Sequence, residues 1–497
     1  MEIVNMGNRK RSKRWMFFFA LLALSFFFLL FFSVSTSFIY DYPHSVDSHV
    51  FQVIGKLWND GYLPYVDLWD HKGPLIYFIN KIGYAFTGNR YGVFIIQMLF
   101  FFSTLVLLWN VFIKRMSFRR SLSCIFLSLS FLAFCYGDNC VEEYIMPFLV
   151  LSFYLQYVWV SDFSEKGKMS HPSFWFALYG FVLAFSLLTR LTNALGVCAG
   201  AGFIEAILLF KRKWRLFFEN ALFFAIGFLF LFLPFALYFH FHGAFQEMWY
   251  GTFLFNLDYV SNSENVITQQ QRLYSLISLV SCYFLLTVSI IRLLNKFYCL
   301  GGYMLLVCVS LLSWLLNSNG YLSYSMLSLP FLVIAFLDLE TLKKKYCTSA
   351  VIIESVYLFF SISTILISSF FISREIYRGY HYICERQTID SCAKLVAKIP
   401  EKERTSFVAY GIRPSIYLYY DVKPSVRFFC NHNFYCYNSP IMATMMDDAL
   451  KKQTVKWIIA KKPYSGVWKD DLKEQYYEIM EEQLDNNSRA VLLKLKQ

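Results

Sequence analysis

The sequence predicts an all-α, polytopic membrane protein with about eleven transmembrane helices and a small C-terminal α/β domain. Of the 497 residues, 57% are hydrophobic and only 16% are charged, whereas soluble domains carry about a quarter charged residues. Apolar runs of spanning length recur along the first three quarters of the chain. After residue 373 the composition becomes that of a water-soluble domain. These three observations predict the fold class.

The apolar segments are each close to the length of about 20 residues that a helix needs to cross a bilayer. They lie at 15–36, 91–113, 120–137, 144–160, 174–190, 192–210, 217–240, 274–291, 298–316, 324–340 and 350–372. The first is longer than the apolar region of about 7–15 residues in a cleaved signal peptide. We therefore expect it to be retained as the first helix.

The basic residues predict the orientation in the membrane. The formal net charge is +12, and lysines and arginines cluster in short patches at 9–14, 114–120, 211–215 and 343–345. A cytoplasmic N-terminus places all four patches in cytoplasmic loops, as the positive-inside rule requires. This distribution argues against nucleic-acid binding. It also predicts outward-facing segments at 37–90, 137–144, 241–273 and 317–324, a tight outer turn near Arg190, and an outer location for everything after 373.

The predicted domains are a multi-pass catalytic domain over 1–372 and an extracytoplasmic α/β domain over 373–497. In the second, "RTSFVAYG", "VKWIIAKK" and "RAVLLKLK" are typical of strands, and "MMDDALKKQ" and "KDDLKEQYYEIMEEQL" of helices. Disulfides and free thiols are both open for four cysteines of this region, namely Cys384, Cys392, Cys430 and Cys436.

The first outer loop is predicted to begin with an amphipathic helix. In "SVDSHVFQVIGKLWNDG" the apolar residues recur at helical spacing, so we expect this helix to lie along the membrane surface. Turn residues in "NDGYLPY" end it. "PLIYFINKIGYAF" then predicts a second, interfacial helix.

Charged residues of the outer face are the candidate functional residues, because no phosphate-binding glycine loop is present in the sequence. They are Asp47, Asp70, Lys72, Glu142, Glu143 and Arg190. Structural explanations exist for each: Asp47 suits the first turn of a helix, and Lys72 could pair with Asp70 at the interface. A lysine beside an outer interface nevertheless runs against the positive-inside bias, which singles out Lys72.

Three stretches resemble the GT-C superfamily of polyprenyl-phosphate-sugar-dependent glycosyltransferases, and within it the family 39-like, protein O-mannosyltransferase-like membrane proteins. They are Asp47, "NDGYLPYVDLWDHKGPLIYF" and "GDNCVEEYIMPF". The resemblance implies an inverting transfer of a sugar from a polyprenyl-phosphate donor to a glycan, lipid or protein acceptor outside a bacterial cytoplasmic membrane. It implies Asp47 as the base, with Glu143 preferred over Glu142 as its assistant. Lys72 would bind the phosphate, with Asp70 and Arg190 also binding substrate.

Two other classes of function remain open. A transporter or flippase of lipid-linked glycans would normally show repeated halves, and a glycan polymerase or ligase would share the topology and the donors. No cofactor is implied. The residues His44, Asp47, His49 and His71 raise the possibility of a divalent metal, but their spacing matches no ligand signature.

Overall fold

The structure, a computed structural model, describes residues 2–41, 45–136, 138–262, 268–318, 321–345, 350–379, 383–451 and 455–496. His44 therefore lies outside the described residues. The chain divides into two compact units.

The first unit contains most of the long apolar helices. They are α1 (Glu2–Phe32), α4 (Arg90–Ile113), α5 (Phe118–Cys135), α6 (Val141–Lys166), α7 (Trp175–Leu187), α8 (Leu195–Phe210), α9 (Trp214–Phe241), α12 (Gln269–Ser278), α13 (Val280–Leu294), α14 (Tyr298–Asn317), α15 (Leu329–Lys345) and α16 (Ala350–Gly379). The first residues of α4 and the last residues of α9 and α16 belong to the second unit.

The second unit contains the shorter helices and a sheet. Its helices are α2 (Val46–Asn59), α3 (Pro74–Thr87), α10 (Phe245–Trp249), α11 (Phe255–Asn262), α17 (Ile383–Val396), α18 (Ile416–Tyr419), α19 (His432–Asn438), α20 (Pro440–Lys451) and α21 (Lys469–Gln475). Its strands are β1 (Phe407–Tyr410), β2 (Trp457–Lys462), β3 (Tyr476–Asp485) and β4 (Ser488–Leu495).

The predicted all-α, multi-pass fold is confirmed. Within the described residues, 9 helices are long and apolar enough to cross a membrane. The pair α12–α13, bent by 49° at Leu279, would make a tenth as one broken span. The remaining predicted segment, 174–190, forms the shorter apolar helix α7 of 13 residues. Every predicted span therefore coincides with an apolar helix.

Helices α2 and α3 form a closely packed pair in the second unit. The predicted helix in the first outer loop is present as α2, and most of its residues are buried. Gly55 of α2 faces the backbone of α3: a Cβ at this position would lie 2.6 Å from the Lys81 nitrogen and 2.7 Å from the Asn80 carbonyl carbon. The absence of a side chain at Gly55 therefore allows the close contact between the two helices.

We expect Gly55→Ala to destabilise the protein by up to about 2 kcal/mol. The methyl group forces α2 and α3 apart, which costs about 1–3 kcal/mol, and the better helix propensity of alanine offsets about 1 kcal/mol of that cost. Gly202→Ala in α8 is the matched control, since a Cβ there meets nothing within 4 Å. Thermal unfolding in detergent should show a lower Tm for Gly55→Ala only. Equal Tm values would mean that the two helices do not need the glycine.

A four-stranded mixed sheet forms the predicted α/β domain. Its strand order is β1-β2-β4-β3. Strands β1 and β2 are parallel, and the other two pairs are antiparallel. Strands β1 and β2 are buried over their first four residues, as the apolar segments predict. Cys392, Cys430 and Cys436 carry free thiols, and the side chain of Cys384 lies outside the described residues.

The prediction of one helix over "KDDLKEQYYEIMEEQL" is wrong for its second half. The helix α21 ends at Gln475, and the chain continues as strand β3 from Tyr476 to Asp485. Glutamate, glutamine and methionine favour helices, but here a two-residue turn joins β3 to β4. The carboxylate of Asp485 accepts hydrogen bonds from the Asn487 nitrogen (2.8 Å) and the Ser488 hydroxyl (2.5 Å). Pairing in this hairpin overrides the local helix propensity.

Candidate active site

Asp47 lies in the first turn of α2, where the helix begins. Ser45 caps this helix, and its hydroxyl accepts a hydrogen bond from the Ser48 nitrogen (3.3 Å). The Asp47 side chain is exposed, so its carboxylate is accessible to a ligand. Its charge also acts on His71: burial and Lys72 lower the pKa of that ring, and Asp47 is one of the two carboxylates that oppose the lowering. The second unit thus brings Asp47 and the Asp70–His71–Lys72 segment into one electrostatic neighbourhood.

Asp70 is a buried carboxylate, with 3% of the residue exposed. It accepts hydrogen bonds from Tyr435 Oη (2.7 Å) and Tyr77 Oη (2.6 Å). Its Oδ1 also lies 3.2 Å from His71 Nδ1. Burial alone would raise the pKa of Asp70, but His71, Lys72 and the Tyr77 hydroxyl together lower it well below its usual range. Asp70 is therefore ionised and cannot itself act as a base near neutral pH.

Lys72 presents its ammonium beside this carboxylate. Lys72 Nζ lies 2.6 Å from His71 Nε2, so the histidine ring stands between Asp70 and the lysine. The Lys72 backbone is fixed as well: its carbonyl accepts from Tyr65 Oη (2.7 Å), and its nitrogen donates to Tyr77 Oη (3.2 Å). The half-buried lysine is therefore attached to a polar network that contains the buried residues Asp70, Tyr65 and Tyr77.

The loop that carries these residues is held on both sides of Asp70. The Trp69 nitrogen donates to the Arg427 carbonyl (2.8 Å), and the Trp69 ring meets the Tyr435 ring edge-on at 4.6 Å. The His71 carbonyl accepts from Asn256 Nδ2 (2.8 Å). The left-handed Tyr65 (φ 69°) is fully buried and directs its hydroxyl to the loop. These contacts fix the backbone that carries Asp70 and Lys72.

Glu142 and Arg190 form an ion pair in the first unit. Arg190 Nη1 contacts Glu142 Oε1, and Glu142 is almost fully buried at 1% exposure. The Arg190 guanidinium also lies over the Tyr324 ring, 4.4 Å from its centroid. Arg190 precedes a short 3₁₀ turn (Leu191–Ala194) between α7 and α8, as the predicted turn between two spans requires.

Glu143 is held at the start of α6. Its Oε2 accepts from Gln97 Nε2 (2.7 Å) and Tyr136 Oη (2.8 Å), and its Oε1 accepts from the Cys140 nitrogen (3.2 Å). A carboxylate offers about four acceptor positions, and these bonds occupy three. The contact with the Cys140 nitrogen is that of a capping box, which satisfies a free backbone N–H at the beginning of a helix.

Sequence reasoning missed three members of the second-unit cluster. His71 was considered only as a metal ligand, although its place between Asp70 and Lys72 in "DHK" was visible. Tyr77 lies only seven positions after Asp70, so a contact between the two side chains could have been considered from the sequence. No local pattern predicts Tyr435, which is 365 positions away. Among the described residues, no group of three or more His, Cys, Asp or Glu side chains could hold a metal ion.

Comparisons with known proteins give structural matches only. No protein-family model and no curated protein matches the chain. The structure of ArnT from Cupriavidus metallidurans, bound to undecaprenyl phosphate, matches with a TM-score of 0.55 and 10% sequence identity over 97% of this chain and 98% of that one. The Archaeoglobus fulgidus oligosaccharyltransferase, in complex with Zn and sulfate, gives a TM-score of 0.43 and 12% identity over 89% of this chain and 68% of that chain. The chain is a multi-pass membrane protein with the fold of the ArnT structure.

Proposed function

We propose that this protein is a membrane glycosyltransferase that moves a sugar from a polyprenyl-phosphate donor to an acceptor outside the membrane, with inversion at the anomeric carbon. The observation that carries the proposal is the position of Lys72, whose ammonium contacts His71 next to the buried Asp70 carboxylate. A buried carboxylate and a histidine hold one ammonium in place, in a chain whose fold is that of a protein bound to a polyprenyl phosphate.

The proposed reaction is a single displacement. Asp47 takes the proton of an acceptor hydroxyl, and the hydroxyl oxygen forms a bond to the anomeric carbon. The bond between that carbon and the phosphate oxygen breaks, and its electron pair stays on the phosphate. Lys72 stabilises the negative charge that develops there, which is the part of the reaction where a fixed cation contributes most.

The predicted substrate residues Glu142, Glu143 and Arg190 lie in the first unit. Three hydrogen bonds hold Glu143 at the helix start, and they favour a structural role. The acceptor-orienting role of Glu142 and the substrate-binding role of Arg190 stay predictions from the sequence, and the two side chains form an ion pair within the first unit. We expect Glu142→Gln to weaken substrate binding with little change in stability. We expect Glu143→Gln to lower stability with little change in substrate binding.

The active site and the C-terminal domain are proposed to face the outside. Asp470→Cys places a thiol at an exposed position of α21, and Lys213→Cys places one in a basic loop predicted to be cytoplasmic. An impermeant thiol reagent added to intact cells should label Asp470→Cys above the level of the parent protein. Lys213→Cys should be labelled only after lysis. The opposite pattern would invert the topology and reject an outer active site.

Comparison of cells with and without the gene tests the proposed function. Loss of a sugar transferase should make its polyprenyl-phosphate sugar accumulate, and one envelope component should lose a sugar of the same mass. Mass spectrometry of lipid extracts and envelope fractions measures both changes and identifies sugar and acceptor. Accumulation of a complete lipid-linked oligosaccharide would instead indicate a flippase, polymerase or ligase. No change in either fraction would reject the proposal.

A further inference from the structure

His71 lies between an acid and a cation in a row of close polar contacts. Asp70 Oδ1 is 3.2 Å from His71 Nδ1, and Lys72 Nζ is 2.6 Å from His71 Nε2. A charged lysine has only donors, so Nε2 must be the acceptor. The ring proton is then on Nδ1, the ring nitrogen that lies 3.2 Å from the Asp70 carboxylate. The row therefore requires neutral His71 in one tautomer.

The imidazole is held so that it can direct the lysine. The Phe434 and Phe255 rings lie 5.3 Å and 5.7 Å from it, centroid to centroid. Asn256 Nδ2 donates a hydrogen bond to the His71 carbonyl (2.8 Å), and the Asp70 carboxylate lies 3.2 Å from Nδ1 of the ring. With the ring fixed, the position of Nε2 decides where the flexible four-carbon side chain of Lys72 places its ammonium.

We propose that His71 is a positioning residue for Lys72: the neutral ring directs the ammonium toward the carrier phosphate, and protonation of the ring weakens that grip. A protonated ring has no acceptor at Nε2 and places a second positive charge beside Lys72. At a separation of a few ångströms, two positive charges repel each other. This inference rests on the proposed phosphate-binding role of Lys72 and adds regulation of that site by pH.

The surroundings of His71 set the direction of the pH effect. Burial and Lys72 lower the pKa of His71, while Asp70 and Asp47 act against them, and the net pKa is below the ordinary value. Among the described residues, the other titratable groups of this network are Tyr65, Tyr77, Tyr435 and Cys430. Burial and Asp70 raise their pKa values, so they stay neutral. Full affinity for the carrier is therefore expected at neutral pH, with a loss as the pH falls through the lowered pKa of His71.

Two substitutions separate positioning from simple packing. His71→Phe keeps an aromatic ring but removes both nitrogens. In His71→Gln the amide can donate to Asp70 and accept from Lys72. With purified protein and undecaprenyl phosphate at neutral pH, we expect about tenfold weaker binding for His71→Phe and a smaller loss for His71→Gln. The wild-type protein should lose additional affinity at acid pH relative to His71→Gln, because titration of the phosphate itself is common to both.

A double-mutant cycle completes the test. In a Lys72→Ala background, His71→Phe should cause no further loss of affinity, whereas a general folding defect would add to the loss. If Lys72→Ala itself leaves the affinity unchanged, the proposed role of Lys72 fails. If Lys72→Ala weakens binding but His71→Phe does not, only the positioning role is overturned. Equal acid losses in wild type and His71→Gln would overturn the pH effect.

Discussion

Replacing Asp47 by asparagine is expected to lower kcat for sugar transfer by about a hundred- to ten-thousandfold, the usual contribution of a general base. The amide keeps the size of the side chain but cannot take a proton from the acceptor hydroxyl. Loss of a charge from the first turn of α2 should cost at most about 1 kcal/mol of stability. The Tm in detergent should therefore change little.

Asp67→Asn is the matched control for Asp47→Asn. Asp67 is also an exposed acid of the second unit, and its carboxylate accepts a hydrogen bond from the Leu63 nitrogen (2.7 Å). An asparagine oxygen can still accept that bond, so this variant loses the same charge without losing its turn. We expect it to retain its activity. Near-normal turnover in Asp47→Asn would remove Asp47 from the mechanism.

The second large effect is expected from Lys72→Ala, which should weaken binding of undecaprenyl phosphate by about ten- to a hundredfold. A charge-assisted hydrogen bond contributes about 1.5–3 kcal/mol, which corresponds to this range. Transfer should slow as well, because the leaving phosphate loses its cation. Lys72→Arg should recover part of the loss, although the planar guanidinium cannot reproduce the contact of a compact ammonium with His71.

Lys394→Ala controls for the loss of one positive charge in the same unit. Lys394 is an exposed residue of α17, and its ammonium pairs with Glu482 (2.9 Å). Its removal should leave carrier affinity unchanged. Titration of both purified variants with undecaprenyl phosphate decides the matter. Unchanged carrier affinity in Lys72→Ala, together with weaker acceptor binding, would assign this lysine to the other substrate.

Local sequence patterns were sufficient to predict the helices of the membrane part, because each long apolar run had only a helix available to it in a bilayer. The strand Tyr476–Asp485 was mispredicted, since its side chains favour a helix and its partner strand is visible only in the fold. A hairpin register depends on both strands and the turn, whereas propensity is a property of one segment.

The candidate residues Asp47, Asp70 and Lys72 could be named from the sequence, because charges at a membrane edge are unusual and need a cause. Their arrangement could not. The role of His71 depends on the buried Asp70 carboxylate beside it, and that carboxylate accepts a hydrogen bond from Tyr435, which is 365 positions away in the chain. The hydrogen bonds of Glu143 likewise involve Gln97, 46 positions away, which no local pattern in the sequence indicates.

The most direct test of the account is transfer by the purified protein. Lipid extract and envelope material from cells lacking the gene supply the accumulated donor and the unmodified acceptor, so neither needs to be known beforehand. We expect one free polyprenyl phosphate for each sugar transferred, an anomeric configuration opposite to that of the donor, and no reaction with Asp47→Asn. Transfer with retained configuration, or activity in Asp47→Asn equal to wild type, would contradict the proposed direct displacement. No consumption of the donor by the folded wild-type protein would contradict the glycosyltransferase function itself.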